Sequence, residues 1–393
     1  MRCSGFNLWR GAATLAFLSL LLLISARPAQ AQTEKVVYSF GSQSGDGGSS
    51  WAGLVFDKKG NLYGTTSSGG DNLNGTVFEI TSGTEKVLYS FGSRSGDGNS
   101  PVAGLVIDKK GNLYGTTEDG GEYSEGTVFE ITSAGEETVL YSFGSRSGDG
   151  SYPVAGLVLD TKDNLYGTTS GGGTHGGGTV FEISSAGEET LLYSFGSRSK
   201  DGNNPVAGLV FDTRGDLYGT TRLGGEHNEG TVFEITSAGE EKVLHSFGGR
   251  SGDGYNPVAG LVFDTKGNLY GTTQLGGEYN DGTVFEITSG GTEKVLHTFA
   301  GGAGDGAGPL AGLVFDKKGN LYGTTVNGGA DGSGTVFEIT SSGTEKLIYS
   351  FAGGAGDGAG PFAGLVFDKS GNLYGTTING GAYSVGTVFE VTP

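Results

Sequence analysis

The feature that most constrains this chain is a single unit written seven times in register. An Ala-Gly-Leu triplet recurs at Ala52, Ala103, Ala155, Ala207, Ala259, Ala311 and Ala363, with a first step of 51 residues and later steps of 52. A period of this size marks a repeat architecture, in which each unit buries its apolar face only against its neighbours. Unbroken periodicity therefore argues for one closed domain over residues 32–393, although 393 residues could supply two or three ordinary ones.

The second copy shows what the unit is. Residues 102–108 form a short apolar run, Lys109-Lys110-Gly111 turns the chain, and residues 112–117 make a second run. A Gly120-Gly121 loop leads to a third run, 126–132, and a Ser-Ala-Gly-Glu turn to a fourth, 138–143. None has helical apolar spacing, so each copy predicts four antiparallel strands of five to seven residues. The 80 glycines, against an average usage of about 7 %, recur at fixed offsets between these runs and read as turns rather than disorder.

Four-stranded units repeated around an axis are propeller blades. The phase of the repeat supports a ring: residues 34–40, from Glu34 through Phe40, are a fourth strand, and the last copy reaches only its third strand near Val391. The expectation is an all-β, seven-bladed β-propeller whose last blade is closed by that N-terminal strand, which removes an exposed edge. An open stack would call for atypical capping repeats, and the terminal copies resemble the middle ones.

Residues 1–31 are of another kind. Arg2 and Arg10 precede an apolar stretch from Ala12 to Ile24, and Ala29-Gln30-Ala31 offers a cleavage site, which reads as a secretory signal peptide. The stretch is short for a membrane span, so no membrane insertion is expected after cleavage. Cleavage removes Cys3, the only cysteine, and takes the net charge from −19 to −22 by removing Arg2, Arg10 and Arg27. An acidic surface without a basic patch excludes nucleic acid as a partner. A secreted monomer is expected: periplasmic, extracellular or surface-associated.

The string Gly-Asn-Leu-Tyr-Gly-Thr-Thr, then Gly-Gly, then Gly-Thr-Val-Phe-Glu, recurs from Gly60, Gly111, Gly267, Gly319 and Gly371, with local departures at Asp163 and Asp216. It closely resembles the Gloeo/Verruco-type tandem repeat family of exported bacterial proteins. The resemblance implies bacterial export and tandem repeats, and it implies no reaction and no catalytic residue.

Differences between copies point to function, because residues shared by all are framework. His245 and His297 take the place of Tyr38, Tyr89, Tyr141, Tyr193 and Tyr349 and read as packed strand residues. His175 and His227 lie in the Gly-Gly loop, where the other copies have Asn72, Tyr123, Tyr279, Asp331 and Tyr383. Exposed rings there suit stacking on a sugar, or they cover glycine-rich backbone in their own loops. At the start of the inner strand stand Trp51, Val102, Val154, Val206, Val258, Leu310 and Phe362, and the three large members become neighbours in a closed ring. Arg222 and the loop acids fall in copies two, four and five, which predicts an apolar side and a charged side. Trp51 either plugs the channel or touches a ligand. The candidate ligand-binding set is Trp51, Tyr123, His175, Arg222, His227, Tyr279, Phe362 and Tyr383.

Asp46, Asp97, Asp149, Asp201, Asp253, Asp305 and Asp357 each precede Gly, which an Asx-type turn explains better than calcium. No metal site, cofactor or catalytic residue is predicted: phosphate-loop, zincin and nucleophile-elbow patterns are missing, and the repeated Glu79, Glu130, Glu182, Glu234, Glu286, Glu338 and Glu390 are framework. The favoured function is noncatalytic binding of a carbohydrate or an envelope or extracellular partner. The competing readings are a propeller glycoside hydrolase or polysaccharide lyase using Glu118, Glu226 or Glu278, and a structural matrix component.

Overall fold

The computed structural model describes Met1 and residues 34–393. The expected signal peptide, Met1 aside, lies outside the described residues. Gln32–Pro393 forms one unit of its own. No described helix is long and apolar enough to cross a membrane.

Each copy folds as one antiparallel four-stranded blade. In blade 1 the strands are Val55–Phe56, Leu62–Thr66, Thr76–Thr81 and Thr84–Ser90, paired in chain order. Gly64 shows why the second strand reads Leu-Tyr-Gly-Thr-Thr: a Cβ there would stand 2.6 Å from the Phe78 ring, and the same contact recurs at Gly115, Gly167, Gly219, Gly271, Gly323 and Gly375. The glycine makes room for the phenylalanine that fills the core.

That core is a ring of seven equivalent junctions rather than one centre. Between blades 1 and 2, Val77 and Phe91 pack on Leu105, Leu113, Phe129 and Ile131. Between blades 7 and 1, Phe40 and Val388 pack on Leu54, Leu62, Phe78 and Ile80. Edge-to-face phenylalanine pairs cross the junctions, Phe91–Phe129 at 5.0 Å and Phe40–Phe78 at 5.1 Å, each worth about 0.5–1.5 kcal/mol beyond area burial.

The ring closes as the repeat phase predicts. Strand Glu34–Ser39 pairs antiparallel with Thr387–Val391 and completes the sheet of Val366–Phe367 and Leu373–Thr377. A threonine hydroxyl of each blade donates to the inner-strand alanine carbonyl of the next: Thr65 to Ala103 at 2.9 Å, Thr220 to Ala259 at 3.1 Å, and across the closure Thr376 to Ala52 at 2.9 Å. The chain is a seven-bladed propeller.

Two features differ from expectation. The innermost strand has only two ladder residues, such as Val106–Ile107, instead of five to seven. The preceding Ala-Gly-Leu leaves the ladder because seven inner segments converge on the axis, where a Cβ on Gly104 would lie 3.2 Å from the Gly53 carbonyl oxygen. The second feature is a two-stranded ladder in every blade, Gly47–Gly48 with Ser68–Gly69 in the first, which ties together loops that read as irregular.

Candidate ligand-binding face

Those small ladders place the loop entering each blade and its Gly-Gly loop at one end of the propeller. Next to each ladder one residue adopts left-handed backbone: Ser49, Ser100, Tyr152, Asn204 and Asn256 have φ of 53°, 58°, 57°, 58° and 61°, and Gly308 and Gly360 fill the position in blades 6 and 7. Left-handed backbone is unfavourable for a bulky residue and persists only where its surroundings over-determine it. Here they do: the Tyr152 N–H donates to Glu125 O of the preceding blade at 2.9 Å, and its carbonyl accepts from Ser170 N at 3.0 Å.

Three of the eight predicted residues lie around the axial mouth. Trp51 and Phe362 meet at 4.5 Å between ring centroids, tilted by 59°, as closure of the ring implies. Trp51 remains 41 % exposed. Beside them Ile378 borders Gly360, where a Cβ would come 3.2 Å from Ile378 Cγ1 and 4.0 Å from Phe362 Cε2; Leu310 and Val326 are half-buried in blade 6. Across the ring the same positions are polar. Asn204 Nδ2 donates to Ser170 O at 2.8 Å, Arg222 Nε to Asn256 Oδ1 at 2.9 Å, and Asn256 Nδ2 to Gln274 Oε1 at 2.5 Å. In a ring of seven, blade 4 with Arg222 stands opposite the junction of blades 7 and 1.

Asn204, Asn256, Gln274 and Tyr152 were missed by sequence reasoning. Comparing the residue after each Thr-Thr would have found part of this set, since it runs Ser67, Glu118, Ser170, Arg222, Gln274, Val326 and Ile378.

The other five candidates sit at Gly-Gly loop tips, away from the axis. Tyr123, Tyr279 and Tyr383 are 44 %, 55 % and 52 % exposed. Tyr123 and Tyr383 lie over Gly144 and Gly41, whose Cβ atoms would meet theirs at 3.1 Å, and His175 and His227 lie over Gly196 and Gly248 at 3.5 Å. Each of these four covers the glycine that ends the outer strand of its own blade. The structure thus separates a mouth group from a rim group.

Six of the seven loop aspartates accept on both oxygens; Asp253, beside His245, has Oδ1 buried without a hydrogen-bond partner. Asp46 Oδ1 accepts Gly47 N at 2.8 Å, while Oδ2 accepts Ser42 N at 2.9 Å and the Tyr38 hydroxyl at 2.8 Å. A β-bulge in the outer strand, between Val36 and Tyr38, precedes that tyrosine. Behind each aspartate stands the glutamate that opens the next outer strand, and Arg94, Arg146, Arg198 and Arg250 pair with Glu137, Glu189, Glu241 and Glu293. Glu34 and Glu85 have no arginine, and burial, followed by the nearby charges of Asp357 and Asp46, pushes both up to about 7.

The acids weighed for hydrolysis come from three different blades. Glu118, Glu226 and Glu278 belong to blades 2, 4 and 5; burial raises Glu118, whereas Lys200, 2.7 Å from Glu226, lowers that group. A cleft of about 900 Å³ lies on the opposite face between blades 4 and 5, lined by Phe211, Arg214, Tyr218, Glu234, Lys242 and Leu244. The same repeat positions (Phe56, Lys59, Tyr63, Glu79, Lys86 and Leu88) line a cleft of about 530 Å³ between blades 1 and 2. That recurrence makes both clefts framework. Framework hydrogen bonds also occupy the repeated third-strand glutamates, as from the Tyr63 hydroxyl to Glu79 Oε1 at 3.0 Å.

The Gloeobacter/Verrucomicrobia repeat model matches residues 23–211 and 197–389. The chain belongs to this family. No curated protein matches it in sequence. Among solved structures, this family member is similar to a streptogramin B lyase, with a TM-score of 0.62, 13 % identity and coverage of 92 % of this chain and 97 % of the lyase. It is also similar to the extracellular domain of a protein described as a hybrid two-component system from B. thetaiotaomicron, with a TM-score of 0.61, 17 % identity and 92 % coverage, spanning 41 % of that longer chain. Identities this low establish the propeller fold and nothing finer.

Proposed function

We propose that this family member is a noncatalytic binding propeller acting outside the cytoplasm, and that it takes a neutral saccharide at the axial mouth. The observation carrying this reading is the exposed Trp51, packed on the half-buried Phe362, set opposite the Arg222–Asn256–Gln274 chain of hydrogen bonds. An apolar ring stacks on the C–H face of a sugar, and amide and guanidinium groups at fixed positions bond its hydroxyls. The left-handed ring of backbone beneath them pre-organises the mouth, which lowers the ordering cost of binding. Export as a family trait and extracellular domains among the structural neighbours support the location.

A glycan and polysaccharide panel with the purified protein tests the reading. Trp51 is the only tryptophan beyond residue 31, so its fluorescence should shift on saturation. Trp51→Ala should weaken binding at least tenfold without lowering Tm. Unchanged affinity in that variant, or turnover of the bound glycan, overturns the proposal.

A further inference from the structure

Five outer strands place a tyrosine hydroxyl on the loop aspartate, for example Tyr89 on Asp97 at 2.9 Å and Tyr349 on Asp357 at 3.0 Å. Four junctions hold the glutamate behind that aspartate with arginine. The junctions differ in which of these two devices they keep. Between blades 4 and 5, His245 replaces tyrosine but Arg250 still pairs with Glu293. Between blades 6 and 7, Tyr349 stays and Gly354 replaces the arginine. Only the junction of blades 5 and 6 changes both, with His297 for tyrosine and Gly302 for arginine.

There His297 Nε2 stands 3.4 Å from both Asp305 oxygens, and one ligand atom each of His297, Asp305 and Glu345 lies within 4.8 Å of the other two. Glu345 Oε1 is buried without a hydrogen-bond partner. The corresponding oxygens of Glu34, Glu85, Glu137, Glu241 and Glu293 are also unpartnered; arginine neutralises the last three, and Glu34 and Glu85 face junctions that keep tyrosine, so Glu345 alone combines the unpartnered oxygen and the missing arginine with a histidine. Among the described residues no Lys or Arg pairs with Asp305 or Glu345. The imidazole is fixed edge-on against Phe299 at 4.7 Å, and Asp305 is oriented by Gly306 N at 2.7 Å and Ala300 N at 2.8 Å.

We propose that His297, Asp305 and Glu345 form a binding site for one divalent transition-metal ion, with Zn²⁺ as its reference occupant. A neutral imidazole and two carboxylates carry the charge that a divalent cation compensates. Tetrahedral zinc with bonds of about 2.0–2.2 Å spaces its ligands about 3.4 Å apart. The His297–Asp305 separation already meets that spacing, and a rotation of the Glu345 side chain supplies the third ligand. Calcium, which takes six to eight oxygens, suits this set poorly. The ion staples the outer strands of blades 5 and 6 where four other junctions use arginine. None of its three residues belongs to the mouth set, so the site does not rest on what binds there.

Chelator-stripped protein titrated with ZnCl₂, and in parallel with CaCl₂, tests the site by calorimetry and thermal melting. One Zn²⁺ per chain should bind and raise Tm by a few degrees at about 100 times Kd. His297→Tyr restores the residue of the other blades, so it should fold and melt like the metal-free protein while losing at least 30-fold in zinc affinity. Glu345→Gln should lose zinc similarly, whereas His245→Tyr should keep it. Absence of zinc binding, zinc retained in His297→Tyr, or an equal response to calcium overturns the proposal.

Discussion

Blades 2 to 5 and blades 6, 7 and 1 share one framework and finish it differently. The junctions from blade 1 through blade 5 pin a buried glutamate with Arg94, Arg146, Arg198 or Arg250, and the mouth above blades 3 to 5 carries Asn204, Arg222, Asn256 and Gln274. The remaining junctions have Gly302, Gly354 or Gln43 in place of arginine, and the mouth above blades 6, 7 and 1 carries Leu310, Val326, Phe362, Ile378 and Trp51. The strands scarcely vary between the two halves. The clearest divergence lies at one end of a rigid scaffold, where a change of residue leaves the core in place and alters what the surface can hold.

The sharpest test of the shared framework compares the closing junction with an internal one. Deleting residues 34–40 removes a whole strand and leaves Thr387–Val391 as an open edge, so aggregation or a Tm lowered by more than about 10 °C is expected. An unchanged melt would show that the ring does not depend on its closure. Single truncations come next: Phe40→Ala and Phe143→Ala each empty an equivalent, fully buried position and should each cost about 3–5 kcal/mol in chemical denaturation. A much larger loss at Phe40 would mean that closure adds cooperativity beyond the local contact, and equal losses would mean the seven junctions are energetically alike.

This framework was legible because two signals agreed. A short β-branched and aromatic run such as Thr127-Val128-Phe129-Glu130-Ile131 between glycine turns marks a strand, and the phase of the repeat assigns Glu34–Ser39 to the last blade. The inner strand is shorter than its composition suggests, since Val102, Ala103 and Gly104 are strand-like residues that turn to face the axis. At the mouth, the meeting of Trp51 and Phe362 follows from closure alone. The Asn256–Gln274 bond does not, because it depends on a left-handed backbone at Asn256 that composition does not announce. His297 is the packed strand residue its repeat position implies, yet Asp305 and Glu345 come from a different loop and a different blade, separations that only the ring makes short.

Exchanging one half's solution for the other's has a smaller effect. Arg146→Ala leaves Glu189 buried without its cation, as Glu345 is in blade 6, and should cost about 1–3 kcal/mol at pH 8. Most of that loss should vanish at pH 5, where the carboxyl can take up a proton instead. A pH-independent loss would mean that Arg146 acts through packing of its stem rather than through charge.

The converse change is Glu34→Gln, made where no arginine is present. Glu34 titrates near 7 in the fold, above its ordinary value of 4.5, because burial and the charge of Asp357 disfavour its ionised form. The native state therefore holds this proton more tightly than the unfolded chain does. Its contribution to stability is complete below about pH 4.5 and is lost as pH rises through about 7. The glutamine variant has no such proton to lose, so the two proteins should melt alike at pH 4.5 and the variant should be the more stable at pH 8. A half-buried carboxylate is partly screened by solvent, which sets the expected gain at roughly 1–2 kcal/mol. Glu189→Gln should do the opposite at pH 8, since it strips Arg146 of its partner. If both glutamine variants move in the same direction, the arginine half and the glycine half do not differ electrostatically, and their contrast reduces to loop shape.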